Sequence, residues 1–561
     1  MSSIKEQIIK ALQAVTKTKK ISLEFPENEA FGDYSSNAAF LNIDLKIDEV
    51  VEKFNQSGLP VRAEAKAGFI NFWLKKDVLV DDLMQIDNEK EKYGSSSIGK
   101  GKTVVIDYSS PNIAKPFGIG HLRSTIIGQA LYNLYEFLGY EVIGDNHLGD
   151  WGTQFGKLLY MLHEENMITA NNVSDFDISK LEELYVEFHK LAEKDTTLEE
   201  KAREWFKKLE DGDSKAKEIW KKCVDISLEE FDRIYDLLGV KIDFTLGESS
   251  YRDEWQNLIQ SKSVQDNLSI GEGGAKIIDL SKEGINIPLM FLKGDGGTTY
   301  ATRDLATIAF RVRKWDPDII IYEVGAEQTF YFKQIFAAAR LLGLVKDDIK
   351  LIHTAHGLYL AGDGKKFATR EGKTVKLDEV LTEAIKRAEE LGNSDEKIAQ
   401  QVGIGAIKYF DLMHSVQSNV VFDWEKMMNL EGNSGPYLQY TVARINSVLA
   451  KSTNKQSLAK SEFGKQISKS TNKWQINNEE MTVLRKLCRF PEIIATAAIN
   501  YSPNTLCSYL YNLAQKFNSF YNKDKIIGGE NESLRLKLTS AVGTVLKSGL
   551  GILSISTPEK M

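Results

Sequence analysis

The sequence predicts an α/β multidomain chain, with a doubly wound parallel sheet at its centre, a small α+β module before it and an all-helical region after it. Three observations lead there. The chain has 561 residues, which at roughly 150 residues per structural unit calls for several units rather than one core. From Thr103 to Asn146 a buried-strand pattern, a helix pattern and a second strand pattern follow one another, the unit from which parallel sheets are built. Beyond about residue 395 helical spacing runs almost to the end. Hydrophobic residues make up 42% and charged residues 27%, so disordered and fibrous classes are excluded.

Residues 1–98 open with an amphipathic helix and hold the strand pattern GFINFWL, Gly68 to Leu74; by strand alternation half of its side chains are expected to face inward. TVVIDYSS, Thr103 to Ser110, reads as a buried strand, followed by the loop SPNIAKPFGIG, the helix HLRSTIIGQALYNLYEFLGY and the strand EVIGDN. A charged helical stretch from about 174 to 236 reads as an insertion. Strand signals return at INIPLMFL, DIIIYEV and IKLIHTAH, so one sheet is expected to span 99–385. A helical connector, 386–430, and a helical unit, 431–561, complete the chain. The second is interrupted by the lysine-rich stretch Lys451 to Lys473, in which Glu462 is the only acid.

No window approaches the roughly 18 to 20 apolar residues of a membrane span, and the first helix lacks a signal-peptide core. Cys223, Cys488 and Cys507 show no C-x-x-C spacing, which argues against a disulfide framework and a cysteine zinc site. A soluble, cytoplasmic protein without a membrane partner is the expectation. The formal net charge of -8, taken globally, argues against a polyanionic partner, although a total says nothing about patches.

The loop after Tyr108 carries Lys115, Gly118, Gly120 and, at the helix start, His121. Backbone N–H groups and the helix dipole make such a junction an anion site. The loop is too long for the dinucleotide turn and lacks its third glycine, and no G-x-x-x-x-G-K-[ST] is present, which disfavours a nicotinamide oxidoreductase.

SPNIAKPFGIGHLRSTIIG resembles the adenylate-forming signature of class I aminoacyl-tRNA synthetases, and NHLGDWGTQFGKLL resembles the arginyl-tRNA synthetases among them. GESSYRD, GDGGTTYATRDLATIAFR, GAEQTFYFKQ, EGNSGPYLQYTVARI, the terminal PEKM and the early EFPENEAFGDYSSNAAF extend the resemblance along the chain in order. It implies a Rossmann-like catalytic domain, an additional N-terminal domain that meets the tRNA elbow and a helical anticodon-binding domain. It implies too that arginine and ATP form arginyl-adenylate and pyrophosphate, and that the arginine passes to the 3′ end of tRNA(Arg). The expected partners are tRNA(Arg), L-arginine and ATP with Mg²⁺, with no intrinsic metal and a monomeric state.

The resemblance assigns Lys115, His121, Lys366 and Arg370 to catalysis and Pro111, Gly118, Gly120, His121 and Lys366 to ATP. For the arginine substrate it points to Ser110, Asn112, Glu248, Tyr300, Asp304 and Gln328. Carboxylates suit that task because a guanidinium offers a rigid fork of donors, and Tyr300 and Asp304, four apart, share a helix face. For tRNA it points to Asn71, Trp73, Tyr440, Tyr521 and Met561.

Two departures stand out. The class signature has the form His-x-Gly-His, and Gly118 stands at its first histidine. Loss of one charge-stabilising donor typically costs on the order of a hundred- to a thousandfold in rate, so the expectation is either slower activation or a natural variant with a compensating neighbour. The lysine loop of KMSKS type reads Lys366-Phe367-Ala368-Thr369-Arg370, and Lys115 is expected to supply charge in compensation. The alternative is a tRNA-binding protein on this scaffold whose activation chemistry is weakened or lost.

Overall fold

The computed structural model describes residues 4–38, 46–66, 68–164, 176–365, 367, 375–392, 395–456 and 474–561. They form two compact units: one of Met1–Gly94, Arg444–Glu492 and Asn512–Lys547, the other of Ser95–Ala443, Ile493–Tyr511 and Ser548–Met561. No helix among the described residues is long and apolar enough to cross a membrane.

The first unit starts with α1 (Ile4–Thr16), β1 (Tyr34–Ser36), α2 (Ile47–Asn55), β2 (Val61–Lys66), β3 (Phe69–Leu74) and α3 (Lys76–Glu89). β3 is the middle strand of an antiparallel sheet ordered β1-β3-β2. The expected alternation holds except at one residue: Ile70, Phe72 and Leu74 are buried on one face, Phe69 is exposed and Trp73 half-buried on the other, and Asn71 between them is buried.

The second unit carries β4 (Thr103–Asp107), α4 (Ile119–Phe137), β5 (Glu141–Asn146), α5 (Thr153–Glu164), α6 (Ile178–Ala192), α7 (Thr197–Asp211), α8 (Ser214–Leu238) and β6 (Phe244–Thr245). It continues through α9 (Arg252–Gln260), α10 (Lys262–Gln265), β7 (Leu268–Ile270), β8 (Lys276–Ile278), β9 (Leu289–Leu292), α11 (Tyr300–Trp315), β10 (Ile319–Tyr322), α12 (Thr329–Leu341) and β11 (Lys350–His353). Next come β12 (Tyr359–Leu360), α13 (Leu377–Glu390), α14 (Glu396–Leu412), β13 (Val420–Val421) and α15 (Trp424–Met427). The helices α16 (Gly435–Gln456), α17 (Asn478–Leu487), α18 (Phe490–Ile499), α19 (Pro503–Lys523) and α20 (Glu532–Ile552) end the chain.

The main sheet is parallel and ordered β11-β10-β4-β5-β6. Its strand order reverses between β4 and β10, the crevice where doubly wound sheets bind ligands. Ile319 to Tyr322 are all buried, as two helix-covered faces require. α4 crosses close to the sheet: a Cβ at Gly128 would lie 2.3 Å from the Tyr108 side chain, so only glycine fits there. The strand inside INIPLMFL departs from expectation. β9 pairs antiparallel with β8 in a separate sheet ordered β7-β8-β9. Its Met290 is exposed between buried Leu289 and Phe291, the one-sided pattern of an antiparallel strand.

Candidate active site

A cleft of about 420 Å³ opens at the reversal of strand order, with Ser109 to Ser124 on one wall, Glu323 to Gln328 on another and His356 to Tyr359 closing it. The chain leaves β4 with Ser109 and Ser110 at φ 72° and 47° and reaches Ala114 at φ 60°. Each non-glycine residue in that left-handed region costs roughly 1–2 kcal/mol. Side chains hold the turn: Ser109 N–H donates to Ser124 Oγ at 3.0 Å and Ser110 N–H to Asn146 Oδ1 at 3.0 Å. The Ser110 hydroxyl donates to Asp107 Oδ1 at 2.8 Å. Asp107 and Asp145 sit side by side at the ends of β4 and β5, and buried Arg311 bridges them through Nη2 at 2.7 Å and Nε at 2.9 Å.

Gly118 caps α4 at φ -88° and ψ 160°, and the Gly118 N–H donates to His121 Nδ1 at 3.1 Å. The same Nδ1 lies 3.3 Å from the Gly118 carbonyl, so the backbone at the helix start holds the ring by that nitrogen. Burial pushes the His121 imidazole below its ordinary range, and His356 and Lys115 push it the same way, against the Gly118 hydrogen bond. His121 is therefore a neutral imidazole at pH 7.

The acids expected to meet a guanidinium form a group. Asp304 accepts the Tyr331 hydroxyl, and Glu248 pairs with Arg303. Burial pushes Asp304 up to about 6, with the Tyr331 bond opposing. Burial pushes Glu248 up to about 7, with Arg303 opposing and Asp304 and Asp150 reinforcing. The compensating cation Arg303 thus serves Glu248, while its guanidinium stacks 4.8 Å from the Tyr300 ring centroid. Tyr300 is exposed.

Of the residues named from sequence, Ser110, Gly118, Gly120, His121 and Gln328 line the one cleft. Pro111 is buried and Asn112 exposed, with the loop tied by the Gly149 N–H donating to the Pro111 carbonyl at 3.1 Å. Lys115 is absent from the cleft lining; its Nζ rests 5.1 Å from the Tyr185 ring centroid on α6. Lys366 and Arg370 lie outside the described residues. Asn71 is buried, its amide donating to the Lys66 carbonyl at 3.5 Å, which turns it from the surface expected to meet tRNA. Trp73 is half-buried under the Arg62 guanidinium, 5.0 Å away. Tyr440 is exposed, Tyr521 stacks with Arg444 at 5.3 Å, and Met561 is half-exposed.

Sequence reasoning missed Tyr331, Arg311 and the pair Glu323–His356. Only His356 left a signal, as one of the seven histidines lying just past a parallel strand, where ligands gather.

Residues 82–424 match the family model for tRNA synthetases class I (R), catalytic domain. Residues 438–561 match the DALR anticodon binding domain, and residues 2–74 the arginyl tRNA synthetase N terminal domain. The arginine–tRNA ligase of Lactococcus lactis subsp. lactis (strain IL1403) is 38% identical over 579 residues, spanning 100% of this chain and 99% of that protein. That of Clostridium botulinum (strain Alaska E43 / Type E3) is 36% identical over 575 residues, spanning 100% and 98%. The crystal structure of arginyl-tRNA synthetase from Plasmodium falciparum superposes with a TM-score of 0.82 at 26% identity, each chain covered to 100%. Thermus thermophilus arginyl-tRNA synthetase gives 0.82 at 22%, a likeness of fold. None of these similarities supports the alternative of a tRNA-binding scaffold without activation chemistry. Family models over most of the chain, relatives matched from end to end and a cleft at the reversal of strand order lead to one conclusion: the chain belongs to the arginyl-tRNA synthetase family of class I aminoacyl-tRNA synthetases.

Proposed function

We propose that the cleft activates L-arginine with ATP and passes the arginine to tRNA(Arg), the chain acting as a monomer. The observation that carries this is the placing of His121, a neutral imidazole at the N-terminus of α4, in one cleft with Ser110 and Gln328. A phosphate over that N-terminus meets the positive end of a 19-residue helix and the imidazole of His121, and charge growing on the α-phosphate is stabilised without any nucleophile from the protein. Mg²⁺ enters with ATP on its phosphate oxygens. Asp304, held by Tyr331, and Glu248 receive the substrate guanidinium, while Ser110 and Asn112 orient its carboxylate toward the phosphorus. Positioning of this kind supplies much of the rate. Tyr440, Tyr521, Trp73 and Met561 are the side chains proposed to meet tRNA.

Arginine-dependent exchange of pyrophosphate into ATP, run with and without tRNA(Arg), tests this. Exchange that requires arginine is the expected result, and its absence with cognate tRNA present would sink the reading.

A further inference from the structure

The cleft is built for an anion yet poor in cations. Among the described residues that line it, Arg123 is the one Lys or Arg side chain. Its charge is already engaged: Nε lies 3.1 Å from Asp411 Oδ2 and Nη1 donates to the Ser418 carbonyl at 2.6 Å. His121 is neutral. The remaining protonatable base in the lining is His356, on the opposite wall, and it is held with unusual rigour. Its Nδ1 lies 2.8 Å from Glu323 Oε1, with side chains 11% and 0% exposed. The other Glu323 oxygen accepts the Thr354 hydroxyl. The Glu323 backbone carbonyl accepts Ser124 Oγ at 2.6 Å, on α4 one turn beyond His121. The ring is thereby anchored to the same helix whose N-terminus forms the anion site.

A carboxylate on Nδ1 fixes the ring orientation and stabilises the imidazolium. In the imidazolium form both ring nitrogens donate, Nδ1–H to Glu323 and Nε2–H to a phosphate oxygen. This is the contribution Gly118 cannot make from the signature itself. We infer that His356, oriented by Glu323, is a phosphate-contacting residue of the activation step, supplying from the loop after β11 the imidazole that position 118 lacks. No covalent bond to His356 is involved; it donates a hydrogen bond to the triphosphate and strengthens it as charge grows in the transition state.

This inference rests on the proposed activation reaction for its assay, and the two are separable. Exchange by the wild-type enzyme with tRNA(Arg) establishes the reaction; equilibrium binding of ATP alone reports on His356 whether or not arginine is the substrate. His356→Phe is expected to slow exchange about a hundredfold and to weaken ATP, with the KM for arginine within about twofold of wild type. Gly118→His should restore about tenfold or more in the His356→Phe background and gain little in the wild-type enzyme, where the imidazole is already supplied. His356→Gln keeps a donor for Glu323 but cannot become a cation, so it should melt like wild type and still lose about tenfold or more. Wild-type exchange and ATP binding in the Gln variant would overturn the inference. So would a Phe variant whose loss Gly118→His does not relieve.

Discussion

Asp304 and Glu248, lifted by burial to about 6 and about 7, titrate across the range in which the enzyme is assayed. A guanidinium binds the ionised forms, so arginine affinity should rise from pH 6 to pH 8, and the KM for arginine measured across that interval should fall while that for ATP changes less. The stability effect has the opposite sign. Folding favours the protonated form of an acid whose folded value is raised, so this contribution is fully present below the ordinary carboxylate range and is lost as pH rises through about 7. Tyr331→Phe removes the hydrogen bond that holds Asp304 down. A hydrogen bond to a charged group is worth about 1.5–3 kcal/mol, so the variant should bind arginine roughly tenfold or more weakly at pH 7. Unchanged arginine affinity would remove Asp304 from the site. Asp304 was legible as a candidate in the sequence because YATRD places it four residues from Tyr300 on one helix face. Tyr331 was not, since it reaches Asp304 from another helix, and no local spacing encodes a contact between α11 and α12.

At the scale of elements, α4 is fixed by a buried pair. Arg123 and Asp411 are 1% and 0% exposed, and Asp411 also accepts the Tyr359 hydroxyl. One aspartate thus ties α4 to α14 and to β12, whose Tyr359 lines the cleft. Removing one member of a buried pair strands the other charge, at about 3–5 kcal/mol. Asp411→Ala should therefore lower stability to denaturant markedly, and Arg123→Met/Asp411→Leu should recover much of the loss. If the double variant is less stable than the single one, the pair is more than a mutual charge balance. The helical and strand patterns around these residues were readable from sequence. The pairing was not, because Arg123 sits on a helix buried on nearly every side and its partner is 288 residues away.

In the molecule as a whole, the N-terminal residues share a compact unit with segments from the far end of the chain. Lys5 Nζ reaches Glu492 at 2.8 Å, and Glu29 is met by Lys486 at 2.9 Å and Lys516 at 3.1 Å. Tyr34 donates to Glu492, and Lys537 pairs with Asp87. Burial raises the Glu29 carboxyl, but the hydrogen bonds from Lys486 and Lys516 outweigh it and hold it near 2. Its stabilisation is therefore present above the ordinary carboxylate value of 4.5 and lost as pH falls toward 2. Glu29→Gln should lower the thermal midpoint at pH 7 and do so progressively less as pH falls toward 2. Deleting residues 1–98 should weaken tRNA binding more than ATP binding, but it would also strip α3 from α17. Trp73→Ala is the cleaner probe: tRNA binding should fall about five- to a hundredfold, the roughly 1–3 kcal/mol of a lost stacking face, with the thermal midpoint retained.

The sequence by itself determined the class of each region and the family. Hydrophobic period and turn chemistry act over a few residues, and the signature motifs are contiguous. It also marked a candidate anion site, since a strand, loop and helix N-terminus are consecutive. The net charge of -8 was no obstacle to that reading, because binding depends on local groups. Tertiary structure alone decided the rest. It buried Asn71, placed β9 in a separate antiparallel sheet and parked Lys115 on Tyr185. It also brought His356 and Glu323 to the wall opposite His121. Each of these follows from packing between elements far apart in the chain, where burial and partner choice, rather than spacing, set which side chains meet.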